Sequence, residues 1–103
     1  MGMDPTYEPI YRQARDLQFR VHDAVDDHSH PSAIVLRQQM QHLMDDLEIR
    51  RSPRDIEDRI KAIQHTVLEA RTNPRSFMDS SHADHFHRSY EQMRMNMRCF
   101  SDY

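Results

Sequence analysis

Apolar residues recur at alternating steps of three and four along four stretches of this chain. The first stretch carries Tyr7, Ile10, Ala14, Leu17, Val21 and Ala24, with His28 next in register. The second carries Ala33, Leu36, Met40, Leu43 and Leu47, widened by Met44. The third holds Ile56, Ile60, Ile63, Val67 and Ala70, and the fourth Ala83, Phe86, Tyr90, Met93, Met97 and Phe100. A strand would alternate with a period of two, whereas a helix returns to one face every three to four residues. The spacing predicts four amphipathic helices, over about residues 5–26, 31–50, 53–71 and 81–99.

The breaks between the stripes carry helix-end chemistry. Asp4 or Thr6 can cap the first helix, with Pro5 and Pro9 in or near its first turn, where a missing N–H costs little. Residues 27–31 form the first break, and the second helix starts near Ser29 or His30 with Pro31 early. Ser52-Pro53-Arg54-Asp55 reads as a serine cap, a proline in the first helical position and an acid three residues after the cap. Thr72-Asn73-Pro74 ends the third helix, after which Phe77 and Met78 are expected to tuck over the end of the core. Ser80 or Ser81 is expected to cap the fourth helix, with Asp84 facing its positive end, and residues 101–103 to form a frayed tail.

These elements predict an all-α fold: one domain, an up-down-up-down four-helix bundle with narrow, coiled-coil-like seams. Connections this short make sequential helices antiparallel. Each stripe occupies about two positions in seven and buries little area, so an isolated bundle would be marginally stable and a homodimer is expected.

Composition agrees with this picture and narrows the chemistry. At 103 residues there is room for one domain, and a single glycine disfavours the tight hairpins of a β fold. The net charge of −3, with both signs mixed along the chain, is not the concentrated basic face that nucleic acid requires. Of the 14 lysine and arginine residues only Lys61 is lysine, a bias that suits interface ion pairs but also follows from a GC-rich coding sequence. Cys99 stands alone, which excludes an internal disulfide and fits a reducing, cytoplasmic setting. No apolar run approaches the roughly 18 residues of a membrane span, and no signal-peptide pattern is present. Gly2 with Thr6 meets the formal myristoylation pattern, although a Met-Gly added before a native Met3 explains it more simply.

The predicted topology gathers two groups of polar residues. One pole collects Asp26, Asp27, His28 and His30 from one loop, and Asp79, His82, Asp84, His85 and His87 from the other. Neutral imidazoles and carboxylates so placed suit Zn, Ni or Cu, and His82 and His85 share a helix face. Helix ends are also where solvated histidines and acids collect in any bundle, and no finger or metalloprotease spacing is present. The opposite pole holds Arg12, Arg15, Arg50, Arg51, Arg54, Arg94 and Arg98. Asp45, Asp46, Glu48, Asp55, Glu57 and Asp58 occupy the same end, so local ion pairs account for it better than a phosphate site.

Met93, Met95, Met97 and Cys99 alternate along the fourth helix, and alternate positions point apart, so they cannot converge on one copper ion. Cys99 lies near a helix C-terminus, whose negative end disfavours a thiolate nucleophile. Nothing else supplies a catalytic motif. Phe19, Ile49 and Met95 each stand two positions after a stripe residue, about 200° round the helix, and mark an outward-facing contact surface. The leading expectation is a non-catalytic interaction or regulatory protein that binds a protein partner or itself. The alternative is a metal-binding or metal-sensing protein that uses the histidine pole.

Overall fold

The computed structural model describes residues 7–73 and 76–101, with 99–101 described as backbone. It is all-α: α1 (Glu8–Ala24), α2 (Pro31–Glu48), α3 (Pro53–Thr72) and α4 (Ser80–Ser101). The expected caps Asp4 and Thr6, the stop at Pro74, the Cys99 and Phe100 side chains and the tail beyond 101 lie outside the described residues. Tyr7 precedes α1 without a side-chain cap, and its hydroxyl donates instead to the Arg51 carbonyl at 2.8 Å.

The four stripes form the core. Every described stripe residue except His28 is buried, and Leu36, Leu43, Ile56, Ile60, Ile63 and Met93 are fully so. The connection before α4 adds to it: Phe77 and Met78 are buried as completely as any helix residue.

His28 leaves the stripe for a backbone reason. Helix α1 stops at Ala24, two residues earlier than the periodicity suggests, because Val25 turns extended (φ −77°, ψ 123°) and forms an antiparallel bridge with Met78. The Asp26 N–H completes it, donating to the Phe77 carbonyl at 2.8 Å. The helical register ends there, so His28 faces solvent, while Val25 takes a core position. This bridge ties the α1–α2 connection to the α3–α4 connection.

The helix ends are locally encoded. Ser52 Oγ accepts from the Asp55 N–H at 3.2 Å, the cap expected of Ser-Pro-Arg-Asp. At the start of α2 the cap is His30, whose Nδ1 accepts from the Ser32 N–H at 3.1 Å. Helix α4 begins at Ser80, so Asp79 rather than Ser80 or Ser81 holds the capping position. Its carbonyl accepts from the Ala83 N–H at 2.9 Å and its carboxylate accepts from the Ser81 hydroxyl. Helix α2 ends in a Schellman motif: Arg51 N–H donates to Asp46 O (3.0 Å) and Arg50 N–H to Leu47 O (3.3 Å). The left-handed residue is Arg50, at φ 58°, where glycine is the usual occupant.

Helix α3 packs most extensively on α4, less on α2; α1 lies on α2 and meets α4 only sparsely. Hydrogen bonds join Ser32 to Glu69, Gln39 to Thr66 and Asp46 to Arg59, so numbers rise on α2 as they fall on α3. Arg71–Asp84, Gln64–Glu91 and Glu57–Arg98 show the same inverse order between α3 and α4.

Candidate interaction surface and the histidine pole

Phe19 is 70% exposed although it lies in the middle of α1. Its position follows from the stripe: Leu17 is buried, and two further residues turn the helix by about 200°. The structure sets it beside residues that spacing from one helix could not reveal. Phe19 lines a groove of about 600 Å³ between α1 and α2 together with Ile34, and Val21 and Met40 of the core also contribute. Gln18 Nε2 donates to Gln41 Oε1 at 2.9 Å across it. Ile34 is 45% exposed and its neighbour Val35 43%. Val35 lines a second groove, of about 490 Å³, between α2 and α3 with the exposed Leu68. The outer side of α2 therefore presents two adjacent aliphatic residues, with an exposed apolar residue across the groove on either flank.

Of the three contact residues marked by their offset, all are exposed. The structure brings only Phe19 to this surface. Ile49 is the C-terminal cap of α2, roughly 22 Å along the axis from Ile34 at 1.5 Å per residue. Met95 belongs to α4, and neither it nor Ile49 lines either groove. Ile34, Val35 and Leu68 went unmarked although a signal for one of them exists. Val35 stands two positions after Ala33, the offset that marks Phe19. The unbroken apolar run from Ala33 to Leu36 hides it, because four apolar residues in a row fit every face.

At the histidine pole the two connections do meet, through the Val25–Met78 bridge, but the imidazoles have separate surroundings. His30 caps α2 and packs on Phe77, with ring centroids 5.6 Å apart. His28 faces His22, at 4.9 Å. His85 meets Phe86 edge-on, His82 is exposed, and the His87 carbonyl accepts from Gln64 at 3.3 Å. Hydrogen bonds from the Ser29 hydroxyl and amide hold the Asp27 carboxyl below the ordinary carboxylate range. Among the described residues, no three His, Cys, Asp or Glu side chains are grouped to hold one ion.

At the other pole Arg12 pairs with Glu8, Arg94 with Glu91 and Arg98 with Glu57, each within 3.0 Å. Met93 and Met97 are fully buried while Met95 is exposed, as alternate helix positions require. No described helix is long and apolar enough to cross a membrane. No known protein family, curated protein or solved structure matches the chain.

Proposed function

We propose that this chain is a small non-catalytic interaction or regulatory protein of the cytoplasm that works through the outer face of α1 and α2, and that its partner there is a second copy of itself. The same reading takes the helices as a single domain, an up-down-up-down bundle with coiled-coil-like seams. One observation carries it: Phe19 and Ile34 are exposed in one groove between α1 and α2, and Val35, next to Ile34 on α2, is exposed as well. Scattered exposed apolar residues are ordinary, whereas a cluster spanning neighbouring elements is characteristic of contact surfaces.

The rim of the groove favours self-association. Apart from Arg37 and His22, its polar residues are Gln18, Gln38 and Gln41. Gln18 and Gln41 are bonded to each other within the chain, and a carboxamide both donates and accepts, so Gln38 can pair with its own copy across a two-fold axis. The axis also brings each apolar residue into the contact twice, and burying one Phe contributes roughly 1.5–3 kcal/mol. The absence of catalysis is read from the sequence, which has no nucleophile–base pattern or phosphate loop. Nuclear magnetic resonance spectra recorded from about 20 μM to 1 mM test the proposal. Signals of Phe19, Ile34 and Val35 should move with concentration while those of Ile49 stay fixed. Movement confined to Met95 and its neighbours would transfer the contact to α4, and spectra that stay unchanged over the whole range with the tumbling time of a monomer would refute self-association.

A further inference from the structure

Two imidazoles face each other where α1 ends. His22 lies in the last turn of the helix and His28 in the connection that follows, with ring centroids 4.9 Å apart and planes tilted by 41°. Both are exposed, and neither ring has a hydrogen bond or ion pair within the described residues. This distinguishes them from His30, whose Nδ1 is engaged as a cap.

The separation of the two rings lies within the range that two imidazoles on one metal ion would have. A divalent first-row ion binds an imidazole nitrogen at about 2.0–2.1 Å, which puts the ring centroid roughly 3.2 Å from the ion. Two rings at a tetrahedral angle then have centroids roughly 5.2 Å apart, and at a right angle about 4.5 Å. The observed value falls between. Three carboxylates, Asp23, Asp26 and Asp27, stand within residues 21–30, and the one arginine that lines the groove with His22 is Arg37. The backbone between the two histidines is pinned by the Val25–Met78 bridge and the Asp26–Phe77 hydrogen bond, so the pair does not sit on a free loop.

We propose that His22 and His28 form a two-imidazole clamp for a divalent Zn, Ni or Cu ion, with water completing the shell. His30, His82, His85 and His87 take no part in it. Copper(II) binds tightest of the three, following the usual order for nitrogen sites. Protons compete for the same lone pairs, so affinity falls in acid. His22 also lines the α1–α2 groove, so the clamp and the self-association surface share that side chain, whereas His28 belongs to the clamp alone.

Isothermal titration of the untagged full chain with nickel, zinc and copper chlorides tests it, with circular dichroism confirming that each variant stays helical. The expected result is one ion per chain. Binding should weaken at least tenfold in His22→Gln and in His28→Gln, and remain unchanged in the double variant His82→Gln, His85→Gln. No binding at millimolar metal overturns the proposal, as does binding that survives both single substitutions. Loss of binding only in the His82, His85 variant would place the ion at the α4 end and overturn it equally.

Discussion

Two residues sit where their own chemistry is unfavourable. Arg50 adopts φ 58°, a conformation that costs a residue with a Cβ about 1–2 kcal/mol. Glycine removes that cost but gives the unfolded chain more freedom, an offset of about 0.4–1 kcal/mol. Arg50→Gly is therefore expected to stabilise the fold by about 0.5–1 kcal/mol in urea unfolding, and a loss would show that the Arg50 side chain outweighs its backbone. Tyr90 is fully buried, and its hydroxyl has no hydrogen-bond partner among the described residues. An unsatisfied buried hydroxyl costs about 1–3 kcal/mol, so Tyr90→Phe should raise stability by about 1 kcal/mol.

Burial also pushes the Tyr90 phenol above its ordinary value. A raised value means that the unfolded chain releases this proton first, so the stability tied to it is complete below about pH 10 and declines above. Thermal melts at pH 9 and 11 should accordingly fall less for Tyr90→Phe than for the wild type. Equal falls would show that Tyr90 does not govern the alkaline limb. Glu91 behaves in the opposite sense: bonds from Arg94 and Gln64 hold its carboxyl below the usual range, so its contribution is lost as the pH falls.

At the scale of elements, the helices were legible because burial of one face imposes a period that every described stripe residue but His28 reproduces. The Ser52 cap was legible because it is local. Ser52→Ala should cost about 0.5–2 kcal/mol and Ser52→Gly only a few tenths, measured by chemical unfolding. Equal losses would indicate another role for the hydroxyl. What could not be read was set by contacts between elements. The end of α1 at Ala24 is decided by Met78, more than fifty residues away, and with it the exposure of His28. The Asp79 cap depends on where α4 begins, and that follows from how Phe77 and Met78 enter the core. Packing also ranks the helices. Helix α1 is held by α2 with little from α4, whereas α3 is flanked by α2 and α4. Native-state hydrogen exchange should thus show α1 opening at lower free energy than α3, and equal protection would make the four helices one cooperative unit.

For the whole molecule, the expectation of a homodimer rested on stripes too narrow to bury enough surface. The core proves wider than two positions in seven, because the expected Met44, Phe77 and Met78 are fully part of it and Val25 joins them. The motive for association consequently moves from a shortage inside to a cluster outside, at Phe19, Ile34 and Val35. Of these only Phe19 is marked by its offset, since Ile34 joins a surface once α1 lies against α2 and the apolar run from Ala33 to Leu36 hides Val35. Sedimentation equilibrium at about 50 μM, on the wild type and on Phe19→Ser, tests self-association through this face most directly. A dimer is expected for the wild type and a monomer of unchanged helicity for Phe19→Ser. A monomeric wild type, or a dimer that Phe19→Ser leaves intact, would contradict it.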